Sequence, residues 1–124
     1  MFAHLKNLPD VCEQLRAVTA DYTVAAVGYS AFPRDAKDSY MPCFLVGISH
    51  AQLLANALNV PLVECSHQQG HIAAALWSAG RLDLLDCPHL AWHLSGGTTE
   101  LLYVRPEGCM VRAELIGGTT DISA

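Results

Sequence analysis

The chain is 124 residues long, 52% apolar and only 15% charged, with a formal net charge of −5. That length and apolar share suit a single folded domain with a real core and exclude a disordered segment. The acidic balance excludes a self-sufficient nucleic-acid binder, which needs a basic patch. A charged share well below the usual value of about a quarter suggests a surface covered by a second lobe, a second copy or a partner chain. No apolar run reaches the roughly 18 residues of a membrane span, and Met1 to Lys6 lacks a charged-then-apolar leader, so the cytoplasm is the default location. Five scattered cysteines (Cys12, Cys43, Cys65, Cys87, Cys109) form no Cys-x-x-Cys pair and read as reduced, mostly buried thiols. Cys65 stands apart, because it lies close enough to His67 to share a site with it.

Residues 3–20 have apolar positions near helical spacing, and Pro9 places the main helix start at Pro9–Asp10. Val24–Gly28 is a short apolar run that reads as a strand buried on both faces. Residues 29–41 read as a long polar loop. A second helix is expected from Pro42 to Leu58, apolar over most of its circumference and stopped at Asn59 and Pro61. Pro61–Cys65 is a second strand, Ser66 an N-cap, residues 67–79 a third helix and Gly80 its C-cap. After a connection over 81–88, strands are expected at 89–94, 100–104 and 109–116, with a turn at Pro106-Glu107-Gly108. The order is that of an α/β domain with a mixed sheet that ends in an antiparallel meander, without internal repeats.

Two stretches carry chemistry. His67 and His71 are four residues apart, so on a helix their side chains stack on one face, where two neutral imidazoles can grip one metal ion. Gly70 between them permits close approach. Gln68 stands where the His-Glu-x-x-His of a zinc protease needs its general base. The bland alternative is a pair of ordinary helix histidines. The second stretch, Leu94-Ser95-Gly96-Gly97-Thr98, lies between two apolar strands. Its glycines leave backbone N–H groups open to a phosphate, although Gly-Gly is equally a plain hairpin turn. Gly117-Gly118-Thr119-Thr120-Asp121 repeats that chemistry, and Asp121 would contact magnesium or ribose, or cap a following helix.

A strand, a Ser-His-x-x-Gly-His helix and then a strand with Ser-Gly-Gly-x-Thr resemble the TsaD (Gcp) family, historically called O-sialoglycoprotein endopeptidase, peptidase family M22. The resemblance covers residues 3–124, the middle third of a family member. It implies a ribonuclease H-like lobe of the actin/sugar-kinase/Hsp70 superfamily, here a single incomplete domain without its second lobe. It also implies transfer of a threonylcarbamoyl group from threonylcarbamoyl-adenylate to N6 of adenosine 37 of tRNA. His67 and His71 match the family's metal-ligating histidines, for one iron or zinc ion. Leu94, Ser95, Gly96, Gly97 and Thr98 match its phosphate loop. The family's opening strand is missing, Phe32–Lys37 replaces a Gly-Pro-Gly segment, Thr98 replaces a frequent histidine, and Gln68-Gln69 stand where a glutamate is frequent. The family's aspartate ligand belongs to the missing lobe. The chain therefore reads as a fragment or a diverged paralogue, inactive alone. The alternative is a non-catalytic module that forms a homodimer or pairs with a related chain through the 3–20 and 44–58 helices. A metalloprotease is the weakest reading, for want of the glutamate.

Overall fold

A computed structural model describes residues 2–36, 38–94 and 97–120. The chain divides into two compact units: one of Met1–Phe32 and Tyr40–Cys65, the other of Pro33–Ser39 and Ser66–Ala124.

In the first unit, α1 (Phe2–Thr19) is continuous, with Pro9 inside it rather than at its start. Good helix formers such as Ala3, Leu5, Lys6 and Leu8 carry the helix through the proline, at the loss of one backbone bond to the carbonyl four residues back. Strand β1 (Val27–Phe32) begins later than the apolar run at Val24 and takes up residues expected in the loop. Pairing decides this: Val27 N–H donates to the Pro61 carbonyl (2.9 Å), and β1 forms a two-stranded sheet with β2 (Leu62–Ser66). Partners advance together, since the Cys65 thiol meets the Tyr29 carbonyl at 3.3 Å, so the two strands are parallel.

The crossover between them is α2 (Phe44–Leu58), which packs on β1. Asn59 ends it in the left-handed conformation (φ 53°), where its N–H reaches the Ala55 and Asn56 carbonyls. Only Ala51 and Ala55 of α2 are buried, while Leu45, Leu53, Leu54 and Leu58 are exposed. The expectation of burial around most of its circumference is overturned, because α2 has a sheet against one face only. The thiols are corrected too: Cys12, Cys43 and Cys109 are exposed, and Cys65 and Cys87 half-buried.

The second unit holds α3 (His67–Ser78), a short 3-10 helix (Leu82–Asp86) and the meander β3 (His89–Leu94), β4 (Thr99–Glu107) and β5 (Met110–Thr119). The cap of α3 is Ala79, with Gly80 one residue beyond it at φ 67°. The strands make their own antiparallel sheet in the order β3-β4-β5, so among the described residues there are two sheets rather than one mixed sheet. Pro106 and Glu107 lie within β4, and the turn falls on Gly108 (φ 64°) and Cys109. Period-2 alternation puts Leu102 and Val104 of β4 and Val111 and Ala113 of β5 on the covered face, against Ile72 of α3. Leu76, Leu85 and Ala91 complete this core.

Both tryptophans, Trp77 on α3 and Trp92 on β3, report on the second unit. Leu102 is 1% exposed and Leu90 is 61% exposed. In urea unfolding followed by tryptophan fluorescence, Leu102→Ala should lower stability by about 3 kcal/mol, and Leu90→Ala by less than about 0.5 kcal/mol.

Candidate functional site

Ser66 sets the rotation of α3. Its hydroxyl accepts the Gln69 N–H (3.1 Å) and its own N–H donates to Gln69 Oε1 (2.6 Å), a reciprocal capping box. The Gln69 amide then donates to the Val111 carbonyl of β5. With Gln68 and Gln69 turned inward and buried, His67 and His71 are presented on the exposed side. Their Nε2 atoms lie 2.9 Å apart and their ring centroids 4.3 Å apart, close to edge-on. One ring donates and the other accepts at that distance.

This geometry suits two donors to one ion. Two metal–nitrogen bonds of about 2.05 Å place the nitrogens about 2.9 Å apart at a right angle and about 3.3 Å apart at a tetrahedral angle. Among the described residues no group of three or more His, Cys, Asp or Glu side chains is placed to hold a metal. A third imidazole, His93 of β3, has its ring centroid 5.9 Å from that of His71.

His93 leads to a residue that sequence reasoning passed over. Directly across the sheet from it stands Glu100, 5% exposed. Its carboxylate accepts from Arg34 (3.1 Å), Gln68 (3.1 Å) and His93 Nδ1 (3.1 Å). A buried carboxylate needs donors, and here three parts of the unit supply them: Arg34 just after β1, α3 and β3. Since the ionised carboxylate only accepts, Nδ1 of His93 carries the proton in that contact. The signal available in the sequence was the inward register that Glu100 shares with Leu102 and Val104.

The glycine turn follows β3. Leu94 is exposed at the strand end, Gly97 lies in a bend, and Thr98 precedes β4. Ser95, Gly96 and Asp121 lie outside the described residues. A Cβ at Gly97 would meet nothing within 4 Å, so the space beside this turn is open. Thr98 lines a cavity of about 520 Å³ with Arg34, Glu100, Gly118 and Thr119. The Cys65 thiol is engaged with the Tyr29 carbonyl in the first unit.

A sequence profile of the family described as tRNA N6-adenosine threonylcarbamoyltransferase, TsaD, matches residues 40–124, a span that contains both histidines and the glycine turn. The chain belongs to the TsaD family. Proteins named tRNA N6-adenosine threonylcarbamoyltransferase are 33% identical over 119 residues in Magnetococcus marinus, 34% over 121 residues in Christiangramia forsetii and 34% over 122 residues in Lacticaseibacillus casei. Those alignments cover 96%, 96% and 98% of this chain and 32%, 33% and 30% of the relatives. The chain thus spans about a third of the length of the curated relatives it matches. No solved structure matches it.

The His71 imidazole is held below its ordinary value of 6.5 by desolvation of its ring, then by the charges of His67 and His93. Between that lowered value and 6.5 the unfolded chain binds more protons, so this group's contribution to stability is present above 6.5 and is lost as pH falls through the folded value. His67→Ala removes one neighbouring charge and should move the His71 titration upward in proton NMR of the ring hydrogens. Glu100→Ala strands three donors and should cost about 3 kcal/mol in urea unfolding, whereas Glu100→Gln, which keeps an acceptor, should cost about 1 kcal/mol.

Proposed function

We propose that this chain supplies the paired histidines and the phosphate turn of an enzyme that transfers a threonylcarbamoyl group from threonylcarbamoyl-adenylate to N6 of adenosine 37 of tRNA. The observation that carries the reading is the 2.9 Å approach of the His67 and His71 nitrogens, in the same compact unit as the Gly97-Thr98 turn. The family match over residues 40–124 supports it. In this reading the fold is a ribonuclease H-like lobe, and His67 and His71 hold one divalent ion, iron or zinc, with further ligands from outside the described residues. When bound, such an ion supplies Lewis-acid polarisation of a carbonyl.

The chain's own residues bind and orient. Ser66, Gln68 and Gln69 fix the rotation of α3 and so the direction of both imidazoles. The turn Leu94-Ser95-Gly96-Gly97-Thr98 would receive the adenylate phosphate on backbone N–H groups. Asp121 would contact the ribose or cap a helix. In this reading the adenosine amine adds to the carbamoyl carbonyl and gives up one proton to solvent, the bond from that carbon to the phosphate oxygen breaks, and AMP leaves with its phosphate on the turn. With a net charge of −5, docking of tRNA falls to the whole enzyme rather than to this chain. Among the described residues no helix is long and apolar enough to cross a membrane.

One observation favours a second reading, a partner module without catalysis. Val11, Leu15 and Val18 of α1 and Leu45, Leu53 and Leu58 of α2 are exposed apolar residues, as a helix pair that docks on a second copy or a related chain would show. A peptidase is disfavoured, because the Gln68 amide is committed to Glu100 and offers no general base.

Metal binding decides first. Under anaerobic equilibrium dialysis the chain should take up iron(II) or zinc, and His67→Ala and His71→Ala should each weaken uptake by at least tenfold. In the assembly that supports transfer, the same variants should abolish threonylcarbamoyl-adenosine, read by mass spectrometry of digested tRNA. Metal uptake unchanged in both variants would overturn the reading. Intact dimerisation together with unchanged tRNA modification in His67→Ala would favour the partner module.

A further inference from the structure

The second Gly-Gly-Thr-Thr stretch, Gly117–Thr120, repeats the composition of the first. Its first three residues lie at the end of β5, and the sheet register sets them against the start of β4: Thr99 is opposite Thr119 and Glu100 opposite Gly118. A register shift makes this possible. Leu101 pairs with Gly117 and Leu102 with Leu115, so Ile116 is the extra residue of a bulge. Gly118 has a steric reason to be glycine, since a Cβ there would lie 2.8 Å from the Thr99 carbonyl oxygen and 3.4 Å from the Glu100 Cα. The two strand ends therefore meet at backbone distance and leave a shallow, hydroxyl-rimmed wall.

That wall lines one side of the open cavity of about 520 Å³, which Arg34 also lines. Arg34 is not a spent cation. One of its nitrogens donates to Glu100, while the side chain remains 49% exposed. A guanidinium carries five N–H donors in a planar fork that matches phosphate oxygens. Glu100 holds one arm of the fork and is itself satisfied by Gln68 and His93, so the guanidinium is oriented while its side chain stays half exposed at the cavity edge.

We infer that Arg34 and the Gly118-Thr119-Thr120 strand end form, together with Thr98, a binding site for the phosphoryl group of a nucleotide. This rests on the phosphate-turn reading above and adds to it a cation, Arg34, and a second wall from the end of β5. Glu100 is the counter-charge that aims Arg34, and its own negative charge works against the incoming anion.

The test uses the 124-residue chain, with inorganic phosphate, AMP and adenosine titrated separately by amide-resolved NMR. Phosphate and AMP should shift the Thr98, Gly118 and Thr119 amides saturably, and adenosine should leave them unmoved. Arg34→Gln should weaken phosphate and AMP at least fivefold, with Arg34→Lys recovering part of the loss. Thr120→Val, a surface change that keeps the fold, should weaken both by about twofold to threefold. Glu100→Gln should tighten both at least threefold, because it removes repulsion while keeping an acceptor for the guanidinium. Phosphate affinity unchanged in Arg34→Gln, weakened in Glu100→Gln, or matched by adenosine would overturn the inference. Loss of metal uptake in the histidine variants leaves it standing, and normal metal uptake without any phosphate shift overturns it alone.

Discussion

Burying one carboxylate is the constraint on which the second unit depends. Glu100 sits on the core face of β4, where an unpaired charge would be prohibitive, so donors must converge on it. They arrive from Arg34 just after β1, from α3 and from β3. Each bond that satisfies the carboxylate also immobilises its donor. Arg34 acquires a direction, His93 acquires a protonated Nδ1, and α3 acquires a rotation. The network is thus a positioning device as much as a stabilising one, with cooperative cost if any member is removed.

The same constraint accounts for Gln68. A glutamate at this position would bring a second carboxylate to 3.1 Å from the first, and two like charges in a dry site cannot both stay ionised. An amide supplies a donor without a charge. The choice at 68 and the choice at 100 are therefore one decision, made across the helix–sheet interface. It leaves the face that carries His67 and His71 free of any carboxylate from its own helix turn.

Local rules made much of this legible, and contacts distant in sequence hid the rest. Strand β3 was readable to its ends at His89 and Leu94, because turn signals flank it. The stop at Asn59 and the cap at Ser66 were readable because each is a side-chain or backbone preference acting within a few residues. The spacing of His67 and His71 needed only helix geometry to become a pair. By contrast, β1 starts where its partner strand allows, which the apolar run at Val24 does not encode. Pro9 inside α1 is a preference outvoted by its neighbours. The apolar face of α2 says that something covers it in principle, not that it is covered within its own unit. Arg34 and Glu100 are 66 residues apart in sequence, and only the fold brings them together. The inward register of Glu100 was the single local hint of a buried polar site.

The alternation of β3 has a practical consequence. Among the described residues it is an edge strand, hydrogen-bonded to β4 alone, and it turns Leu90, Trp92 and Leu94 outward while His89, Ala91 and His93 face the helix. An open backbone edge beside three exposed apolar side chains is a template on which another extended segment can assemble. Solubility and chemistry therefore sit on opposite sides of the same six residues. Charged substitutions at positions 90 and 92 would discourage edge-to-edge assembly without touching His93. A shift of pairing by one residue would exchange the two sides at once, exposing His93 and burying Trp92. The register of one short strand governs both whether the chain stays dispersed and whether its third imidazole faces the other two.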